Sequence, residues 1–340
     1  VYLREISTGT TRLLSRRFSG GPTHGESHSP EISADGRYVV FVSSATDLLP
    51  NPPVGPVSVY RLDLDTDTLL RIGDAAGMSS FLPDVSSSGE VAYARTTDTV
   101  SITTSQVLRW SPSGATTVLS RTATGIEGNG RSAWPRISSD GRFVAFASNA
   151  DNLGPAGSAA GAEKLFLHDA ANGTLTRLHA DDGGDQLALR ESPATFDLSG
   201  DGRSVVFLLE HDSAPTTLHQ HRSDTGASAM LSDGRLEFDS FEFGLARVSD
   251  DGGHLALSTR TDALRYAFET SSFARIPIAV GPLESTPPPL VGTIADGGLG
   301  IVFGTSKSLL AQDRNGQSDV YQLRFRESEL CAGLFCDGFE

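Results

Sequence analysis

Two stretches of this sequence follow one pattern: ISADGRYVVFVSSATDLLP at residues 32–50 and ISSDGRFVAFASNADNLGP at residues 137–155. Each begins with an apolar-Ser-x-Asp-Gly-Arg segment, continues with an aromatic residue, Val and Phe, and ends in a polar stretch with Asp-x-Leu. Asp-Gly between two apolar runs is a strong hairpin signal, because Gly accepts the positive φ that tight turns require. Both stretches are therefore predicted to be β-hairpins.

Weaker copies of the same pattern occur four more times along the chain. They are VSSSGEVAYART at 85–96, LSGDGRSVVFLL at 198–209, VSDDGGHLALS at 248–258 and IADGGLGIVFGT at 294–305. The turn glycines fall at Gly36, Gly89, Gly141, Gly202, Gly252 and Gly297. Their spacing is close to the period of roughly 40–50 residues that is typical of propeller repeats.

The strand after each turn is nearly continuous in apolar and β-branched residues, as in residues 38–42. A strand has this composition when both of its faces are covered. Third strands are predicted at 59–63, 164–169 and 319–323, and a fourth at 174–178. Four strands per repeat, with almost no helical periodicity, predict an all-β fold: a β-propeller with four-stranded antiparallel blades.

The chain ends are predicted to close the ring. Residues 1–15 match the third and fourth strands of a unit, so one blade is closed by or near residues 1–16. We expect six blades, with seven as the alternative, a single propeller domain over residues 1–326 and a C-terminal tail over 327–340. The side chains expected to be buried between blades are Tyr38, Phe41, Phe143, Phe146, Val205, Phe207, Leu255, Leu257, Ile301 and Phe303.

The segment Pro-x-Ile-Ser-x-Asp-Gly-Arg-x-Val-x-Phe, at residues 30–41 and 135–146, resembles the WD40-like (PD40) repeat of TolB-type propellers. Two units match that repeat closely, three partly and one poorly. The resemblance implies an extracytoplasmic scaffold that binds proteins or peptides, or an accessory domain of a larger protein. It does not transfer an activity, because function depends on sites rather than on folds.

The chain is acidic, with a formal net charge of −15 from 42 acidic and 27 basic residues. This balance argues against nucleic acid or an anionic membrane as the main partner, because both reward positive surface. No run approaches the roughly 18 apolar residues that a membrane helix needs, so we expect no membrane insertion. We expect a monomer whose charge makes copies of it repel one another.

Both cysteines, Cys331 and Cys336, lie close together in the tail CAGLFCDGFE. This arrangement predicts a small local disulfide and an oxidising compartment. The CDGFE ending resembles short endings of secreted gammaproteobacterial proteins. We therefore expect a periplasmic or secreted protein of a Gram-negative bacterium.

The loop that enters the innermost strand of each propeller blade lines one mouth of the central channel, where ligands commonly bind. Here these loops carry carboxylates, arginines, aromatic rings and a histidine, a mixture able to recognise a peptide or a sugar. The candidate ligand-binding residues are Glu26, His28, Phe81, Arg131, Trp134, Arg190, Glu191, Phe241 and Glu242.

A calcium site is a further candidate, at residues 313–319. Asp313, Asn315 and Asp319 alternate as at the start of a calcium loop, but the bidentate Glu at its far end is missing. Asp and Asn also shape turns without any ion. No other cofactor is expected.

No catalytic motif stands out. There is no Gly-x-Ser-x-Gly elbow, and no spacing places two carboxylates together. We therefore expect a non-enzymatic binding or scaffold module for a protein, peptide or glycan. The alternatives are a hydrolase or lyase that acts on carbohydrate with carboxylates in the channel, and one propeller of a larger receptor or sensor chain.

Overall fold

The computed structural model describes residues 1–5, 7–73, 76–97, 104–154, 161–178, 186–187, 195–210, 217–231, 246–258, 263–276, 290–305, 319–324 and 331–332. The chain divides into two compact units, Val1–Leu178 and His179–Glu340. Each is built of antiparallel β-sheets, and the described ranges contain no α-helix.

The first unit contains one hairpin and three four-stranded sheets. The hairpin joins β1 (Tyr2–Glu5) to β2 (Thr10–Leu13). In each sheet, consecutive strands pair: β3 (Ser27–Ile32), β4 (Tyr38–Ser43), β5 (Ser58–Asp63) and β6 (Thr68–Ile72); then β7 (Ser79–Val85), β8 (Val91–Thr96), β9 (Ser105–Trp110) and β10 (Thr116–Val118); then β11 (Ser132–Ile137), β12 (Phe143–Ser148), β13 (Lys164–Asp169) and β14 (Thr174–Arg177).

The second unit contains three further sheets. Their strands are β15 (Gln186–Leu187), β16 (Phe196–Leu198), β17 (Ser204–Glu210), β18 (Thr217–Arg222) and β19 (Ala227–Met230); β20 (Ala246–Val248), β21 (His254–Ser258), β22 (Ala263–Ala267) and β23 (Ser272–Arg275); and β24 (Leu290–Ile294), β25 (Gly300–Thr305) and β26 (Asp319–Arg324). A short 3₁₀ turn, Asp296–Gly298, joins β24 to β25. The last strand, β27 (Cys331–Ala332), pairs with β23, so part of the predicted tail joins a sheet.

The repeated Ser-x-Asp-Gly-Arg turn is held by its own side chains. Ser33 Oγ donates to Asp35 Oδ1 (2.6 Å) and accepts from the N–H of Tyr38 (2.9 Å), while Asp35 Oδ1 accepts from the N–H of Arg37 (3.1 Å). The same contacts recur in the turns at 138–143, 199–204 and 249–254. All six repeat glycines have φ between 68° and 83°, as the sequence predicted.

The strand after each turn is covered on both faces. Val40 and Val42 of β4 pack in one cluster with Val91 of the next sheet. Val39 and Phe41 face the other way and pack in a second cluster with Leu14, which follows the hairpin. This two-sided burial explains why the strand is almost continuously apolar.

The predicted core is confirmed wherever its side chains are described, with one exception. Phe143 was expected to be buried and is half-buried. It is the first residue of β12, and the Arg142 guanidinium lies 4.5 Å from its ring centroid, so that a polar group covers the ring in place of a neighbouring sheet. The side chain of Phe303 lies outside the described residues.

Each of the six repeats builds one antiparallel sheet of three to five strands. These sheets are the blades of a β-propeller, the fold class that the sequence predicted. The hairpin of β1 and β2 forms a two-stranded sheet of its own within the described residues. The predicted single domain over residues 1–326 and the predicted blade closure by residues 1–16 both depend on how the two units are arranged. They therefore stay predictions.

Candidate functional site

The first strands of the three sheets in the first unit, β3, β7 and β11, pack against one another in chain order. We call them the inner strands, and the residues at and just before their starts the entry surface. Five predicted ligand-binding residues lie there: Glu26, His28, Phe81, Arg131 and Trp134. The inner strands therefore carry candidate residues from three successive repeats on neighbouring sheets.

Exposure divides these five residues into three groups. Glu26 and His28 are exposed, Phe81 and Arg131 are half-buried, and Trp134 is only 7% exposed. The backbone N–H of Glu26 donates to Ser44 Oγ (3.2 Å), and its side chain is exposed to solvent. The ring of His28 reaches Ser29 Oγ at 3.0 Å.

Arg131 links the entry surface to the third strand of the same sheet. Its guanidinium carbon lies 4.6 Å from the Trp134 ring centroid, and its Nε donates to Glu163 Oε1 (3.1 Å). Burial raises the pKa of Glu163, while the hydrogen bond and positive charge of Arg131 oppose that rise. Because Arg131 covers its ring, Trp134 is packed into the sheet and does not present a free stacking face.

Every inner strand contains a β-bulge at the residue before a proline. Ser29, Leu82 and Trp134 have φ of 50°, 51° and 54°, and the pairing register shifts at each of these places. Positive φ is rare for residues with a side chain, and a residue before proline normally adopts extended backbone. Bulges redirect the side chains that follow them, which here are the residues immediately after the prolines.

Those residues, Glu31, Asp84 and Arg136, form a charged cluster that the sequence analysis missed. Arg136 Nη1 lies 3.6 Å from Glu31 Oε1. Asp84 Oδ2 accepts from the N–H of Ile137 on the next inner strand (2.8 Å), and its Oδ1 accepts from the N–H of Val85 (2.9 Å). We call Glu31, Asp84 and Arg136 the inner-strand cluster.

Asp84 lies deep among protein atoms, although by surface area its side chain is half-buried. Burial raises the pKa of Asp84 to about 7, with Arg136 opposing the rise and the Glu31 carboxylate adding to it. The carboxyl group therefore titrates near neutral pH.

A matching contact occurs in the second unit, where Asp197 Oδ2 accepts from the N–H of Val248 (3.0 Å). In both units, a carboxylate on the strand that precedes a repeat turn thus accepts from the backbone of the corresponding strand in the next sheet. The sequence signal is an acidic residue directly before the last apolar residue of the strand, as in PDV at 83–85 and FDL at 196–198. The predicted binding residues of the first unit lie at or just before the starts of such strands, whereas this acidic residue lies near the end of each strand.

The remaining predicted site residues cannot be placed. Arg190, Glu191, Phe241, Glu242, Asp313, Asn315 and Cys336 lie outside the described residues, as do the side chains of Asp319 and Cys331. The calcium loop, the disulfide and these four ligand-binding residues stay predictions. Within the part of the chain that the structure describes, no group of three or more His, Cys, Asp or Glu side chains is arranged to hold a metal ion.

No family model matches the sequence, and no curated protein matches it. Among solved structures, a prolyl endopeptidase is similar with a TM-score of 0.57 and 15% identity over 92% of this chain and 42% of its own. Dipeptidyl peptidase 4 from Porphyromonas gingivalis is similar with a TM-score of 0.55 and 12% identity over 91% of this chain and 46% of its own. TolB from Acinetobacter baumannii has a TM-score of 0.48 and 14% identity over 82% of this chain and 60% of its own.

At these identities the similarity shows the fold alone: a β-propeller, with TolB among the similar structures as the repeat predicted. This chain spans less than half the length of the two peptidases and 60% of the TolB chain. The described residues include no helix that is long and apolar enough to cross a bilayer.

Proposed function

We propose that this propeller is a binding module that recognises a protein, peptide or glycan at the entry surface. The observation that carries the proposal is the placement of Glu26, His28, Phe81 and Arg131 at the starts of three strands that pack side by side. A carboxylate, an imidazole, an aromatic ring and a guanidinium together supply hydrogen-bond donors, acceptors and apolar surface, as recognition of a polar ligand requires.

The local roles of the inner carboxylates support binding rather than catalysis. Both oxygens of Asp84 accept backbone N–H groups, and Asp197 repeats one of these contacts in the second unit. A carboxylate that recurs to join adjacent strands has a structural reason to be there. Glu163 is likewise engaged by Arg131.

A carbohydrate hydrolase or lyase is the second candidate, and one observation favours it. Asp84 has a pKa of about 7 and interacts electrostatically with the Glu31 carboxylate. A carboxyl group whose pKa is raised towards neutrality is typical of general acids. In such an enzyme Asp84 would act as the acid, and Glu31 would be the second carboxyl group of the site.

We further propose that the protein acts outside the cytoplasm. The two closely spaced tail cysteines support this compartment. The similarity to two peptidases of which this chain covers less than half also supports the alternative that the propeller is one part of a larger receptor or sensor chain.

The test is an array of peptides and glycans probed with the purified protein, followed by mass spectrometry of each ligand that binds. The binding module predicts retention of at least one ligand that is recovered unchanged after long incubation. Recovery of shortened or unsaturated sugar products, lost in Glu31→Gln, would establish the enzyme instead. If the protein retains nothing on either array, recognition of peptides and glycans is overturned, and a folded protein is the class of partner that is left.

A further inference from the structure

The repeat creates the same pocket twice in the first unit, with different linings. The first pocket lies beside LSRRFSGG at residues 14–21, and the second beside LSRTATGI at residues 119–126. Each is closed on its other side by the third and fourth strands of the following sheet. Their volumes are about 220 Å³ and about 610 Å³.

The strand register shows that the two pockets are equivalent. Leu62 of β5 pairs with Val39, and His168 of β13 pairs with Val144, the corresponding position two repeats later. The fourth strands begin at Thr68 and Thr174, each directly after a residue with positive φ. Differences between the pockets can therefore be assigned residue by residue.

The first pocket is small, and two of its three arginines pair with one carboxylate. Arg16 makes a close ion pair with Asp67, and Arg12 lies 3.5 Å from the same carboxylate. The third, Arg17, donates through Nε to the carbonyl of Pro22 (2.8 Å). Phe18 and Leu62 contribute apolar bulk to the lining.

In the second pocket, three substitutions remove the pairing and open the space. Gly173 stands in the position of Asp67, Ala123 in that of Phe18 and His168 in that of Leu62. Arg121, the counterpart of Arg16, is exposed, and no carboxylate of the described residues lies within ion-pair distance of it. Among the described residues, the larger pocket thus contains an arginine that is not ion-paired.

His168 is the second unusual group in this lining. It is only 9% exposed, and its buried Nδ1 has no hydrogen-bond partner within the described part of the chain. Burial lowers the pKa of His168; Asp169 opposes that shift, and Arg109 and Arg121 add to it, so the ring is neutral at pH 7. Because Nδ1 is buried, a ligand in the pocket would meet the neutral ring through Nε2, as a donor or an acceptor according to the tautomer.

We propose that the second pocket binds a small molecule that carries a carboxylate beside a polar group, such as a peptide C-terminus or a sugar acid. Arg121 pairs with the carboxylate, and His168 hydrogen-bonds the neighbouring amide or hydroxyl. Leu119, Leu153 and Leu175 supply the apolar wall for the body of the ligand. Guanidinium–carboxylate hydrogen bonds are among the strongest polar contacts in proteins, which suits a single anchoring cation.

The test uses two matched pairs of probes in ligand-observed NMR. N-acetyl-alanyl-alanine is compared with its C-terminal amide, and galacturonic acid is compared with galactose. The proposal predicts that at least one acid binds and that its neutral counterpart does not. The pair that responds identifies the ligand source.

Two variants test the pocket itself. Arg121→Gln removes the cation, and Gly173→Asp recreates the carboxylate of the first pocket at a position where Asp67 already adopts positive φ. Each should weaken acid binding at least about tenfold, the effect of losing one charged hydrogen bond. Arg16→Gln, the same change in the first pocket, should leave binding unchanged.

Three results would overturn the proposal: neither acid binds, acids and neutral counterparts bind alike, or Arg16→Gln weakens binding as much as Arg121→Gln. Thermal unfolding of every variant by circular dichroism shows whether it is folded. Since Gly173→Asp acts without removing any side chain, it keeps the test decisive if Arg121→Gln is unstable.

Discussion

Gly36 and Gly89 occupy the same turn position in consecutive repeats but have different surroundings. Both have positive φ, 73° and 83°. A Cβ at position 36 would meet open space, whereas one at 89 would lie 2.6 Å from Arg61 Nη1 and 3.0 Å from the Tyr38 ring. Comparing the two glycines therefore separates the energetic cost of left-handed backbone from the cost of disturbed packing at the same turn position.

We expect Gly36→Ala to destabilise the protein by about 1–2 kcal/mol, the cost of left-handed backbone for a residue with a Cβ. Gly89→Ala should cost roughly twice as much, because it also displaces Arg61, whose Nη1 donates to the carbonyl of residue 89 (2.7 Å). Urea unfolding of both variants measures the difference. Equal losses would show that the packing around Arg61 contributes nothing at this turn.

Within the described ranges, His168 has a buried ring nitrogen without a hydrogen-bond partner, which should lower the stability of the protein and is consistent with a role in binding. His168→Leu, which installs the residue of the first pocket, should stabilise the protein by about 1–2 kcal/mol, because it removes a buried unpaired polar atom.

The pKa of His168 is lowered on folding, so the unfolded chain binds more protons below about pH 6.5, and wild-type stability should fall there. Unfolding from pH 5 to 8 should show the gain growing as the pH falls; a variant less stable than wild type throughout would contradict this account.

At the scale of elements, the bulges of β3, β7 and β11 determine which side chains meet. Each bulge inserts a residue with positive φ before a proline. The residue after the proline then faces its counterparts on neighbouring strands. Asp84 is central, because its carboxyl group joins β7 to β11. The inner-strand cluster is therefore a property of paired bulges rather than of any single loop.

Asp84 should make stability depend on pH. Its pKa is raised to about 7 from an ordinary value of 3.8, so between these limits the folded state holds a proton that the unfolded chain releases. This contribution is fully present at the acid end and is lost as the pH rises towards 7. We expect Asp84→Asn to flatten the fall in unfolding free energy from pH 4.5 to 7.5, measured by urea titration; an unchanged slope would show that Asp84 is ionised throughout.

The sequence predicted elements better than sites, for a physical reason. Asp-Gly turns and continuous apolar runs are local signals, so the six turns and the strands after them were found, and β13 was predicted at its observed bounds, Lys164–Asp169. The inner-strand cluster depends on bulges and on neighbouring strands, which no local pattern reports. Trp134 was predicted as a ligand-binding residue. Arg131 lies over its ring only in the folded chain, and no local sequence pattern reports that contact.

For the whole molecule, the charge of −15 limits the choice of partner. Polyanions gain affinity by exchanging counterions for protein cations, and this chain offers few. Fluorescence anisotropy with a labelled DNA duplex at low salt should show no saturable binding. Binding that weakens steeply with added salt would reveal a basic surface and contradict the proposed class of partner.

The most direct test of the central claim is the affinity of the array-selected ligand for two matched double variants, measured by titration calorimetry. Glu26→Ala with His28→Ala alters the entry surface, whereas Asp65→Ala with Thr66→Ala alters exposed residues at the opposite end of the same sheet. Recognition at the entry surface predicts a loss of at least about tenfold for the first variant, as expected for one or more lost polar contacts, and none for the second. Equal affinities for both variants and the wild type would contradict the claim.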